Sequence, residues 1–278
     1  MANAIKIDKP QKIRLKDYDP NEKGKTNKES SEAEIQSLSE EINQLQDLLY
    51  AAQTHSVLIV LQAPDTGGKD GTITHVMAAV NPLGCSVASF KVPSTLEASH
   101  DFLWRIHQQT PGKGNMTIFN RSHYEDVLVT KVHGLIDEKT CKKRYDHIKN
   151  FEAMLADSNT IIMKFYLMIS KDEQEKRLKA READPSKAWK LSAGDWKERE
   201  LWDKYMGAYE DAIGATAAPN APWYIIPGNY KWYRNLAIAT TIRDTLAAYK
   251  GEWEDALKKI GEERLKELKE ARAGSDRA

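Results

Sequence analysis

The stretch from Val57 to Thr72 limits the possible folds of this chain more than any other. Val57-Leu58-Ile59-Val60-Leu61 is a short apolar run with no alternation. A strand wetted on one face alternates apolar with polar side chains. A uniform run suits a strand covered on both faces, as in a parallel sheet between helices. Directly after it come Ala63-Pro64-Asp65-Thr66-Gly67-Gly68-Lys69-Asp70-Gly71-Thr72 and a helical stretch over Ile73–Val80. Strand, glycine-rich turn and helix in that order are the setting of a phosphate-binding loop. Glycines let backbone N–H groups turn inward around phosphate oxygens. The helix N-terminus adds partial positive charge, and Lys69 adds a full one.

The match to GxxxxGK[ST] is incomplete. Ala63 replaces the first Gly, and Asp70 stands where a metal-binding hydroxyl belongs, with Thr72 two residues later. Asp65 would repel phosphate unless a divalent cation lies between them. The competing reading of this segment is a polar turn with incidental glycines. A second candidate pole, Phe119-Asn120-Arg121-Ser122-His123-Tyr124-Glu125-Asp126, follows a later strand. Phosphate-loop kinases hold Mg²⁺ near such a strand end. Asn120 can accept from a metal-bound water, and Glu125 and Asp126 can supply the negative charge. Both acids fit equally well as first-turn carboxylates facing a helix dipole. A third pole is the basic run Lys171, Lys176, Arg177, Lys179 and Arg181, in which Arg177 and Arg181 share a helix face. It is either a solvated face or an arginine clamp over phosphates.

Other strand candidates are Ser86–Val92, Met116–Phe119, Thr160–Ile169 and Trp223–Ile226, separated by helical patterns. Ser94 with Glu97 and Ser170 with Glu173 have capping-box spacing. The alternation predicts an α/β fold with a five-stranded parallel sheet. Two helical stretches, Lys171–Ala183 and Asp195–Ile213, interrupt it and suggest a movable helical lid over about 171–213. Residues 1–28 hold eight Lys/Arg against four Asp/Glu and read as an extended basic arm, a solvated tail before an anion contact. Residues 29–250 form the main domain, with an amphipathic opening helix over 29–53. Residues 232–272 read as a long charged helix, with 251–278 as C-terminal helix and tail.

Of the 278 residues, 41% are hydrophobic, enough for a core, so whole-chain disorder is excluded. Lys+Arg and Asp+Glu are both 41, which argues against a generally basic nucleic-acid binder. No apolar run is long enough for a bilayer, and the N-terminus lacks a signal-peptide core, so a cytoplasmic protein without membrane contact is expected. Cys85 and Cys141 form no CxxC pair, and no Ser or Cys nucleophile pattern accompanies the seven histidines.

The stretch Gln62–Ile73, QAPDTGGKDGTI, resembles the Walker A segment of the family-2 polyphosphate kinases. So do Phe90-Lys91-Val92-Pro93 and the run Asp101–His107, which contains Arg105. Phe119–Leu128, FNRSHYEDVL, resembles their Walker B segment. Lys187–Ser192, with Lys190, and Asp211-Ala212-Ile213 resemble their lid region. The similarity runs over about residues 30–250 in order. It implies a thymidylate-kinase-like sheet and phosphoryl transfer from inorganic polyphosphate to purine nucleotides (AMP/ADP or GMP/GDP), with Mg²⁺ or Mn²⁺. It implies Asp65, Lys69, Arg121, Arg177 and Arg181 as catalytic residues. Phosphate or nucleotide contacts would come from Thr66, Gly67, Gly68, Asp70, Gly71, Thr72, Lys91, Arg105, Asn120, Ser122, Lys131 and Lys190. Asp65, Asn120, Glu125 and Asp126 would face the metal. Asn120 in place of the commoner Asp resembles the subgroup that accepts nucleoside mono- and diphosphates. A homo-oligomer, dimer or tetramer, is expected. The nearest rival is an ATP-dependent nucleoside monophosphate kinase of thymidylate-kinase type; a more distant one is a non-catalytic phosphate-binding or coiled-coil interaction protein.

Overall fold

A computed structural model describes residues 4–186 and 193–275. Strand β2 (Ser56–Gln62) lies at the centre of a sheet with β4 (Met116–Asn120) and β3 (Cys85–Ser89) on one side. On its other side are β5 (Thr160–Met168), β6 (Trp223–Pro227) and β1 (Ile5–Ile7). Every residue of β2 is buried, as its uniform sequence requires. Its alternate side chains feed two cores: Leu58 and Val60 one face, Val57, Ile59 and Leu61 the other. Covering the second face are α1 (Lys28–Ala52), α2 (Lys69–Val76) and α10 (Lys231–Ala247). Beyond the single-turn helices α3 (Thr95–Ala98), α4 (Trp104–His107) and α5 (Val129–Val132), helices α6 (Glu138–Asp157) and α9 (Trp202–Thr216) cover the first.

The sheet has six strands and is mixed, where five parallel strands were expected. Strands β2 to β6 are parallel, but β1 runs antiparallel to β6, with Ile5 opposite Ile225 and Ile7 opposite Trp223. Three residues of Ile-Lys-Ile within a basic segment carry too little pattern to read as a strand. Their stability comes from tertiary context: they close the open edge of β6. The basic arm is therefore not a free tail. Ile7, Ile13 and Leu15 are buried, and Gln11 N–H donates to the Gly214 carbonyl at 3.1 Å. Further on, Asn229 N–H donates to Pro20 O at 3.1 Å, bringing the arm to the loop after β6.

The insertion between β5 and β6 comprises α7 (Lys171–Glu182), α8 (Ala193–Glu200) and α9. The stretch expected as one helix over Asp195–Ile213 is thus divided at Leu201. Lys190 lies outside the described residues. The expected long C-terminal helix is likewise two, α10 and α11 (Lys250–Ser275). Ser94 and Glu97 form the full capping box. Ser170 caps Glu173 N–H, but the Glu173 carboxylate turns instead to Arg177. No helix among the described residues is long and apolar enough to cross a membrane.

Candidate active site

The loop after β2 forms because its backbone has no slack. Gly67 N–H donates to Pro64 O at 2.9 Å, and a Cβ on Gly67 would lie 2.5 Å from that of Ala63. Thr66 takes a left-handed φ of +61° and Gly68 one of +103°, and α2 then begins at Lys69, four residues before the expected Ile73. Lys69 Nζ donates to the Ala63 carbonyl at 2.9 Å, arching over the loop. Burial pushes its pKa down, the nearby Arg121 adds to this, and Asp65, Glu125 and Asp70 act in the other direction. Such an ammonium is poorly solvated and close to several charges, a suitable state for gripping an anion.

The second pole meets the first. Arg121, with a left-handed φ of +63°, follows β4, and its N–H donates to the Leu61 carbonyl at 3.1 Å. Its guanidinium donates to Asp65 Oδ1 at 2.9 Å and lies 3.5 Å from Glu125. Burial opposes its charge, yet Glu125 and Asp65 carry the net shift upward. Burial raises the Glu125 pKa against the pull of Arg121 and Lys69. Asn120 Nδ2 donates to Asp70 Oδ1 at 2.9 Å, tying the end of β4 to the first turn of α2. Asp65, Lys69, Asp70, Asn120, Arg121 and Glu125 therefore come together.

A cavity of about 280 Å³ opens beside Asp65, Arg121 and Glu125 and is walled by Trp202, Tyr205 and Tyr209. Arg181 borders it through Asp195, at 3.3 Å. A wider depression of about 720 Å³ lies between the 100–107 segment and α6, and no residue of the phosphate loop lines it. Charged groups converge on the loop at the smaller cavity and not at the wider one, which makes the smaller the candidate site.

Several expected site residues are engaged elsewhere. Arg177, expected as a lid cation, is turned to acceptors within the protein. Its Nε donates to Glu173 at 2.7 Å, Nη1 to the Thr66 and Gly67 carbonyls, and Nη2 to the Gly228 and Asn229 carbonyls. A guanidinium with all its nitrogens so used is a bracket behind the loop. Asp126, expected to face the metal, is paired with Arg105 at 3.5 Å and Arg144 at 3.8 Å. Arg105 is itself buried and donates to the Lys91 carbonyl, while the Lys91 residue is exposed. Ser122 is fully buried, accepting from Gln62 and from Tyr124 N–H, and caps the following turn. Thr72 turns to the apolar layer beside Ile59, Leu61 and Ile238, because α2 presents it to the sheet. Lys131 is paired with Asp211 at 2.7 Å and Glu138 at 3.2 Å.

Two features had no counterpart in the sequence reading. Lys164 is fully buried in β5 and paired with Glu152 at 2.6 Å; Glu152 also accepts from the Tyr124 hydroxyl and faces His123. A lysine in the middle of an otherwise apolar strand was the available signal. The second feature is Arg234, buried in the first turn of α10 against Gly68. Its signal was a charge within the apolar helical spacing of Tyr233, Ala237 and Ile238.

The sequence matches the polyphosphate kinase 2 (PPK2) family over residues 25–253. The chain belongs to the polyphosphate kinase 2 family. Among its relatives in that family is an AMP/ADP-polyphosphate phosphotransferase of Meiothermus ruber, 50% identical over 84% of this chain and 89% of the relative. An ADP-polyphosphate phosphotransferase of Rhodopseudomonas palustris is 44% identical over 76% of this chain and 77% of its own length. The crystal structure of polyphosphate kinase 2 from Arthrobacter aurescens superposes with a TM-score of 0.83 at 42% identity. It covers 85% of this chain and 86% of that one.

As for a metal, Asp65, Asp70 and Glu125 face the loop, yet no three metal-ligating side chains among the described residues form a ready-made cage. That donor set suits Mg²⁺, which keeps several waters and is commonly held by one or two carboxylates plus substrate phosphates.

Proposed function

We propose that this chain is a phosphotransferase that moves the terminal phosphate of inorganic polyphosphate to AMP or ADP, with GMP and GDP as further acceptors, reversibly. The observation that carries this reading is the convergence of Lys69, Asp65 and Arg121 at the phosphate loop, with Asp65 and Arg121 lining the aromatic-walled cavity. Family membership and the names of the relatives at 50% and 44% identity support polyphosphate as donor over ATP.

Both substrates are polyanions, so charge repulsion is the chief barrier. An oxygen of the nucleotide's terminal phosphate forms a bond to the end phosphorus of the donor. The anhydride bond to the next phosphate breaks, and the chain becomes one unit shorter. The attacking oxygen is already ionised near neutral pH, so no strong general base is needed. Lys69 and the N–H groups of the loop hold the phosphate that moves, and Arg121 neutralises charge between the two substrates. The Asp65–Arg121 pair fixes the guanidinium on the acceptor side. The faces of Trp202, Tyr205 and Tyr209 give the base an apolar wall. Mg²⁺, or Mn²⁺ in its place, would be held by Asp65 with Asp70 or Glu125 and would supply charge neutralisation across the phosphates. A cytoplasmic location and a homo-oligomeric state belong to the same proposal.

The test supplies long-chain polyphosphate, Mg²⁺ and either AMP or ADP, with no ATP. ADP should appear from AMP and ATP from ADP. Turnover only when ATP is the donor would instead make the chain an ATP-dependent nucleoside monophosphate kinase.

A further inference from the structure

Arg234 is 2% exposed, yet among the described residues no carboxylate reaches it. Nε and Nη2 donate to Asn235 Oδ1 at 3.1 and 2.8 Å, and Nη1 donates to the Gly67 carbonyl at 3.4 Å. Its charged neighbour is another cation, Arg177, which donates to the same Gly67 carbonyl at 3.3 Å. Burial, and then Arg177, lower the Arg234 pKa to about 10. Buried charges are normally paired, and the other buried cations among the described residues are: Lys164 has Glu152 and Arg105 has Asp126. Behind the phosphate loop, two guanidinium groups instead share one neutral oxygen.

The approach of Arg234 depends on glycine. A Cβ on Gly68 would lie 1.8 Å from Arg234 Nη1, and one on Gly71 3.5 Å from Nη2. These glycines therefore admit a guanidinium from behind as well as leaving the front of the loop open. Because the peptide bond is trans, the N–H of Gly68 points away from the Gly67 carbonyl that the two arginines hold. A carbonyl held by two cations polarises its peptide and strengthens that N–H as a donor.

We propose that Arg234 is a positioning residue that supplies the counter-charge for the phosphate gripped by the loop, acting with Arg177 through the Gly67–Gly68 peptide. The inference rests on the proposed function and goes further by naming what charges the loop from its buried side. Without an anion, the two guanidinium charges repel each other. A bound phosphate compensates them through a thin layer of backbone, where the local dielectric is low.

Tripolyphosphate with Mg²⁺ serves as the probe, read by calorimetry and by the rise in melting temperature, alongside turnover with ADP. Arg234→Met keeps the volume and removes the charge. It should fold, weaken tripolyphosphate binding by about tenfold or more, and lose turnover to match, with most of the anion-induced rise in melting temperature gone. Arg234→Lys keeps the charge without the planar fork and should recover part of both. Wild-type affinity in Arg234→Met overturns the proposal. So does failure of Arg234→Met to fold, which would make the guanidinium a structural bracket. If the unaltered protein binds no tripolyphosphate, the proposed function itself fails.

Discussion

Lys69→Ala lowers turnover by roughly 10³–10⁵-fold while the protein stays folded, the range found for comparable charge-stabilising groups in phosphoryl transfer. The size of the loss follows from what Lys69 touches. Among the described residues its only hydrogen bond is to the Ala63 carbonyl, so truncation costs the fold about 1 kcal/mol. Its other neighbours, Asp65, Asp70, Glu125 and Arg121, are the charges of the candidate site. No other lysine or arginine among the described residues arches over the same loop. Arg177 and Arg234 hold it from behind, and Arg121 is engaged by Asp65. Steady-state rates and melting temperature together check this. A variant within about tenfold of the unaltered rate would remove Lys69 from the mechanism, and a collapsed melting curve would make it a structural residue.

Glu152→Ala lowers stability by about 3–5 kcal/mol, which for a chain of this size corresponds to a melting-temperature fall on the order of 10 °C. Lys164 lies 2.6 Å from Glu152 and is fully buried, and its other partners are the Tyr124 hydroxyl and the Thr216 carbonyl. Burial pushes the Lys164 pKa down, and the pair keeps Glu152 below the ordinary carboxylate range despite burial. Removing the carboxylate leaves an uncompensated charge in the core, and also leaves His123 and Tyr124 without their common acceptor. Those two residues directly follow Arg121-Ser122, so the loss should reach the candidate site through the turn that carries Arg121. The double variant Glu152→Gln with Lys164→Met should recover most of the stability, because it removes both charges. Calorimetric unfolding decides this. A single variant within about 2 °C of the unaltered protein would contradict the assigned role of the pair.

How much of this was legible in the sequence depended on whether a residue's role was local. The uniform run of β2, its glycine turn and the strands that follow carry their pattern within a few residues, and the structure places them within a few positions of expectation. Lys69 was legible because a glycine-rich turn between a buried strand and a helix calls for a cation, whereas the roles expected of Asp65 and Arg121 came from the family resemblance; their segments meet because β2 pairs directly with β4. Strand β1 was not legible, since three residues of a charged arm become a strand only when β6 offers an open edge. Asp126 and Glu125 were indistinguishable as neighbouring carboxylates. What separates them is Arg144, 18 positions away on another helix, which claims Asp126. Arg177 read as a lid cation because its face is shared with Arg181. Its acceptors are carbonyls of the 66–67 and 228–229 turns, which no spacing rule brings together. Arg234 lies 167 residues from the glycine it supports, beyond the reach of any local pattern.

Crystals grown with Mg²⁺ and a short polyphosphate test the central claim most directly. The account predicts a terminal phosphate seated in the turn between β2 and α2, within hydrogen-bond distance of Lys69 Nζ and the Gly68 N–H. It is contradicted by a polyphosphate chain lodged in the depression beside α6, or anywhere else, with that turn empty.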